Sequence, residues 1–275
     1  MPTASISQFG WCVCASAVLA VLCSLLLAPA ARAEQSDFSL QFATKAPHTV
    51  TAAHLYIVYR NPANPTGKPS PIRHLVITAP SGTRIDVSIP SCTASDEDIM
   101  ASGPSACPAD SRVGGGPLTA DTGFGPPVDP FLTDVSVFNT GTGVVEIVRD
   151  HNTGATLTDD RLQINGDSMI GNPPSTPGGP PDGQTAVRTI DFTYPASTHY
   201  FTTPPSCTTG HWVSTASFTF ADGSTQHLSS TTPCAKARVK RHHHPRRTKH
   251  HQRKKHHGRP SPRRRQDADR DGDND

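Results

Sequence analysis

Between residues 34 and 234 apolar and polar residues alternate in short runs with a period of two. The apolar positions are Phe38, Leu40, Phe42; Leu55, Ile57, Tyr59; Leu75, Ile77; Ile85, Val87, Ile89; Val135, Val137; Val145, Ile147; Leu162, Ile164; Ile190, Phe192, Tyr194; and Trp212, Ala216, Phe218, Phe220. That period belongs to a strand with one face buried and one in water, and Gly, Pro, Asn or Asp bound each run. The pattern predicts an all-β fold of eight to ten short strands in a single domain, 34–234, with a β-sandwich as the first architecture and a barrel as the second. Asp222-Gly223 offers the two positive-φ residues of a tight hairpin, and Ser81-Gly82 predicts another between HLVITAP and TRIDVSI. One short helix is predicted over Ser95 to Ala101, where Ser95 can cap and Asp96, Glu97 and Asp98 complement the positive end of the dipole. The stretch GNPPSTPGGPPDG, Gly171 to Gly183, is too rich in Pro and Gly for a central strand and reads as an exposed loop.

Composition narrows this picture. With 21 Gly and 27 Pro scattered over 275 residues, helices of ordinary length have no room, which excludes a long helical bundle. Residues Gly10 to Pro29 are almost wholly apolar and lead into Ala31-Arg32-Ala33, the small-x-small triplet of a signal peptidase site. Residues 1–33 therefore read as a signal peptide cleaved after Ala33, with Ala30 as a second site. MPTASISQF carries no Lys or Arg, so a retained membrane anchor is the alternative. Either way the domain is placed outside the cell, secreted or held at the envelope.

Export changes how the cysteines are read. Cys12, Cys14 and Cys23 belong to the signal, leaving Cys92, Cys107, Cys207 and Cys234, an even number in an oxidising compartment. Of the three possible connectivities the local one is favoured, Cys92 with Cys107 and Cys207 with Cys234. The chain-entropy argument assigns these loops of 15 and 27 residues about 3 and about 3.5 kcal/mol. A zinc site is disfavoured because no C-x-x-C pair is present.

IPSCTAS, ACPADSRVGGG (Ala106 to Gly116), GGPPDGQTA, TPPSCTTGHW (Thr203 to Trp212) and TTPC resemble a group of secreted β-rich proteins of actinobacteria that share a Cys-Pro-x-x-Ser-x-Val-Gly pattern. The resemblance covers roughly residues 36 to 234. It implies a secreted, disulfide-stapled, mostly β protein and no particular activity.

Candidate chemistry is sparse in the body. Asn165-Gly166-Asp167-Ser168-Met169 resembles the Gly-Asp-Ser block of SGNH esterases. The Asp-x-x-His that family needs late in the chain has no counterpart here, so Asp167 and Ser168 read as a turn and no catalytic residue is assigned. The seven body histidines are spread singly, outside metal-ligand spacings. The body holds 9 Lys or Arg against 18 Asp or Glu, a net of −9, and a hydrolytic acid pair among them is not visible in sequence.

The tail, 235–275, reads as disordered and reverses the sign. From Lys236 to Arg265 it carries 14 Lys or Arg, seven His and no acid, which cannot bury a core. Its polyanion-binding candidates are Lys240, Arg241, Arg246, Arg247, Lys249, Arg253, Lys254, Lys255, Arg263, Arg264 and Arg265. The partners this chemistry suits are anionic cell-wall polymers or anionic lipid, with nucleic acid bound only non-specifically, through counterion release. No specific protein partner follows. No cofactor is expected beyond weak metal binding by the tail, of a transition metal through its histidines or of calcium. For calcium, Asp267, Asp269 and Asp271 take positions 1, 3 and 5 of a loop that lacks its closing acid. Two functions are thus set against each other: a non-enzymatic secreted domain held at the envelope by its tail, and an extracellular hydrolase with the tail as a targeting device. A concave site holding an acid pair, or Ser168, would decide between them.

Overall fold

The computed structural model describes residues 36–61, 64 and 66–236; the expected signal segment, the tail cations from Lys240 to Arg265 and the acids Asp267, Asp269 and Asp271 lie outside them. The described chain is all-β, as the periodicity predicts. One antiparallel sheet of eleven strands curls almost into a barrel, the second of the two expected architectures. In chain order its strands are β1 (Asp37–Phe42), β3 (Ala53–Val58), β4 (Ile72–Thr78), β6 (Arg112–Asp121), β7 (Phe131–Asn139), β8 (Gly143–Asp150), β9 (Thr156–Asn165), β10 (Ser168–Gly171), β11 (Ala186–Tyr194), β13 (His211–Phe220) and β14 (Thr225–Pro233). Around the sheet they run β1-β3-β11-β6-β7-β8-β9-β10-β4-β13-β14. A small second sheet, β2 (Val50–Thr51), β12 (Phe201–Thr202) and β5 (Arg84–Ile85), belongs to the stapled end of the barrel.

The first and last strands of the sheet meet without a backbone ladder, and side chains take its place. Thr232 donates its hydroxyl to the Leu40 carbonyl (3.0 Å), the Leu40 amide donates to Ser230 Oγ (3.4 Å), and Gln41 Nε2 donates to Ser230 Oγ (3.0 Å) and the Thr231 carbonyl (3.1 Å). At the start of β1 the Ser36 amide donates to Gln226 Oε1 (3.0 Å). The buried face of β14 is accordingly polar, with Gln226, Ser230 and Thr232 all at 9% exposure or less. A strand whose core face is hydrogen-bonding carries no apolar alternation, and STQHLSS shows none beyond its hairpin signal.

The two ends of the barrel differ. At one, the disulfides Cys92–Cys107 and Cys207–Cys234 join residues with Cα atoms 4.9 and 6.0 Å apart, the local pairing expected, and they indicate an oxidising setting. Phe42, Tyr194, Tyr200, Phe201 and Trp212 fill this end with edge-on and tilted ring contacts, and Trp212 Nε1 donates to the Ser206 carbonyl (2.8 Å). The chain leaves here too, with the Ala235 amide bonded to the Lys45 carbonyl (2.7 Å). At the other end lie the connections 122–130 and 172–185.

The helix forms as predicted: α1 (Asp96–Ser102) is capped by Ser95, whose hydroxyl accepts from the Asp98 amide while the Asp98 carboxylate accepts from the Ser95 amide. It packs on the outside of the barrel, where Ile99, Cys92 and Cys107 cover Phe138, Val145 and Ile147. No helix among the described residues is long and apolar enough to cross a membrane.

One expected pairing differs. The turn at Ser81-Gly82 forms, but β4 pairs with β10 and β13, while β5 is two residues long and pairs with β12. Asp86 stops it, since its carboxylate accepts from the Ser88 amide (3.1 Å) and hydroxyl (2.6 Å) and turns the chain before Val87 can extend the strand.

The seam generates a stability prediction. Thr232→Val keeps the shape but strands the buried Leu40 carbonyl, and should cost about 1–3 kcal/mol in denaturant unfolding. Thr231→Val, one residue away on the exposed face, should stay within about 0.5 kcal/mol. Equal effects of the two would show that the seam hydroxyl contributes nothing.

Candidate functional site

Ordinary alternation governs which side chains reach the barrel interior, but α1 inverts its meaning on β8. Because the helix covers Val145 and Ile147 from outside, their neighbours Val144, Glu146 and Val148 point inward. Sequence periodicity assigns the apolar pair to the core and Glu146 to water; both faces of β8 are in fact covered. On β9 the inward face carries Thr158, Asp160 and Leu162. Register then places Asp160 directly opposite Glu146, with Val137 of β7 opposite on the other side. Directly opposed residues have Cβ atoms roughly 4.5–5.5 Å apart, so two carboxyls share one small space.

These acids line a cavity of about 350 Å³ at the unstapled end of the barrel. Its walls are apolar, from Leu75, Leu118, Phe131, Val148, Val187 and Ile190, and its outer rim is formed by the run Pro173 to Pro177 together with Gln184 and Thr185. The Pro-rich stretch read as an exposed loop therefore also has an inner surface. It is held down by Lys68, whose side chain is only 6% exposed and whose ammonium donates to the Asp182 carboxylate (2.6 Å), to the Gly179 carbonyl (3.4 Å) and to the Gln184 carbonyl. Arg73 Nη2 adds a bond to Gln184 Oε1 (3.0 Å), and the Gly179 amide bonds the Thr122 carbonyl of the neighbouring loop (2.6 Å). Gly123 makes that contact possible: its φ is +83°, and a Cβ there would sit 2.1 Å from the Pro180 carbonyl oxygen. Asp129 ties the same loop together. Burial would raise its pKa, but bonds from the Thr122 amide and hydroxyl and from the Gly125 amide outweigh that and hold it below the usual value.

The electrostatics of the cavity are one-sided. Desolvation pushes the Glu146 pKa from 4.5 up to about 8, and the charge of Asp160 adds to the effect. Desolvation likewise raises Asp160 to about 6, against a hydrogen bond from the Arg161 amide that lowers it. Glu146 is half-buried, and the surface it retains lines the cavity. Its carboxyl makes no hydrogen bond or ion pair with any described residue. Burial, reinforced by the field of Glu146, pushes the hydroxyls of Tyr59, Tyr194 and Tyr200 up, and those of Tyr59 and Tyr200 are buried without partners.

The residues singled out from sequence lie elsewhere. Ser168 opens β10 toward the stapled end, its hydroxyl 2.9 Å from Thr78 Oγ1, and does not line the cavity. His54, His74 and His151 bond Asp191, Asn172 and Asp134 respectively. No group of three metal-ligating side chains occurs among the described residues. Sequence reasoning missed the acid pair, although Asp160 shares its strand face with Leu162 and Ile164, and that placement was a readable signal of burial. Comparison of the chain with protein-family models, with curated proteins and with solved structures finds no match.

The raised pKa values make stability pH-dependent. The folded state keeps a proton on Glu146 between about pH 4.5 and 8, where the unfolded chain has released it, so the group's favourable contribution is complete below that window and lost across it. Asp160 acts likewise from 3.8 to about 6. Wild-type thermal stability should therefore fall as the pH rises from about 5 to about 8, by up to about 1.4 kcal/mol per pH unit for each titrating group. Glu146→Gln should flatten the decline and be the more stable protein at the upper pH. An unchanged profile in the variant would place the Glu146 carboxyl in water.

Proposed function

We propose that this is a secreted, non-enzymatic binding domain that takes a compact apolar molecule into the mouth of its barrel and is held at the cell envelope by its basic tail. The observation that carries the reading is the cavity: about 350 Å³, walled by aliphatic side chains and rimmed by an anchored loop. That size falls at the small end of the range for ligand pockets, roughly 300–1,000 Å³. Transfer of an apolar ligand from water into such walls is favourable by about 25 cal/mol per Å² buried.

The tether reading rests on charge and direction. The tail cations oppose an acidic body, and polyanion binding of this kind needs no shaped site. The last described residues, Ala235 and Lys236, lie at the stapled end, so attachment through the segment that follows starts away from the mouth. Two disulfides accord with an extracellular workplace.

A hydrolase is the second reading, favoured by one observation: an opposed Glu and Asp whose pKa values are pushed apart, as an acid and a base require. Against it stands the lining surface, most of which is apolar although Thr122, Thr133, Thr158 and the rim contribute polar groups.

Two measurements test the proposal. A neutral fluorophore such as N-phenyl-1-naphthylamine should brighten with wild-type protein, and Val148→Trp, which fills the cavity from its wall, should abolish the signal while leaving the circular dichroism unchanged. Retained fluorescence in that folded variant would place binding outside the barrel. For the tail, full-length protein should be retained on purified cell wall at about 50 mM salt and released at about 500 mM. A chain ending at Lys236 should not be retained, and equal retention of both would remove the tether.

A further inference from the structure

The proposed cavity is apolar on its walls and acidic at its floor, and that combination restricts what it can hold. Glu146 and Asp160 project from neighbouring strands into the same space, and neither has an ion-pair partner among the described residues. The lining contributes one cation, Arg73. It is exposed at the rim, with its guanidinium given to Gln184 Oε1 (3.0 Å). Directly opposite Glu146 is Asp160 of β9, and the other ionisable groups within reach of its field are the buried hydroxyls of Tyr59, Tyr194 and Tyr200, none of which is positive. Glu146 and Asp160 are both half-buried, and carboxylates drawn partly out of water without a counter-charge are costly, the more so face to face.

Resting on the binding reading, we infer that the ligand is an apolar molecule bearing a protonated primary amine, its ammonium seated between the carboxyls of Glu146 and Asp160 and its hydrocarbon against Leu118, Phe131, Val148 and Ile190. An ammonium has three donors and no acceptor, which suits two carboxyl groups that have oxygens to spare. Charge matches as well. Between about pH 6 and 8 the pair holds one proton and one negative charge, so a monocation neutralises the site. The same geometry disfavours a fatty acid, whose carboxylate would become a third acid in an enclosed space.

The test uses three probes of matched length, octylamine, 1-octanol and octanoate, titrated calorimetrically into the intact secreted protein at about pH 7.5. Octylamine should bind at least about 10-fold more tightly than octanol, the scale of a charge-assisted hydrogen bond, and octanoate more weakly than either. Asp160→Asn should bring the amine toward the alcohol, whereas Glu146→Gln, which leaves the charge on Asp160, should weaken the amine less. Lowering the pH to about 5 should weaken the amine alone, because Asp160 then takes up a proton. Octanol binding as well as octylamine, or octanoate binding best, would overturn the amine assignment and leave the apolar cavity standing. Failure of all three probes to bind wild type would overturn both. Because the decisive comparison is among probes on wild-type protein, it survives if either variant fails to fold.

Discussion

A sheet of eleven strands must either close or leave two rows of unpaired amides and carbonyls in reach of other chains, and closure here is made by side chains. β1 and β14 come together without a ladder, through Thr232, Ser230, Gln41 and Gln226. The barrel interior exists only because that seam holds. A wholly apolar β14 would have packed more area but left the Leu40 amide and carbonyl without partners, at about 1–3 kcal/mol each. Its hydroxyl-rich inner face is therefore a consequence of closing the sheet.

Closure also gives the molecule a direction. Disulfides, edge-on and tilted aromatic rings and the small sheet consolidate one end, and the prolyl loops rim a void at the other. Among the residues lining the void are two carboxyls, which gain nothing by packing against its aliphatic walls. Lys68 plays the opposite part at the rim. It spends a buried charge on one carboxylate and two carbonyls and so fixes a loop that its composition alone would leave loose.

The acid pair runs against stability, and its position explains how it is tolerated. One proton shared between Glu146 and Asp160 avoids two charges in a low-dielectric space, at the expense of a stability that declines toward alkaline pH. Such locally unfavourable arrangements in otherwise consistent folds concentrate where a protein does its work. That is the reason to read the barrel mouth, rather than Ser168 or the dispersed histidines, as the functional region.

Much of this was legible in the amino-acid sequence, because local rules suffice for it. Alternation predicted the strands, Ser95 and three acids predicted α1, and an even cysteine count at short spacings predicted both disulfides. These features depend on neighbours a few residues away or on short loops. What only tertiary structure decided was which side of a strand is inside. Val145 and Ile147 announce an apolar face, yet α1, brought over β8 by a disulfide loop from far upstream, claims it and turns Glu146 inward. The choice of barrel over sandwich, the polar seam of β14 and the meeting of Glu146 with Asp160 are likewise long-range. Each follows from register and closure between distant strands, and a period of two gives the spacing of a face but not the element that covers it.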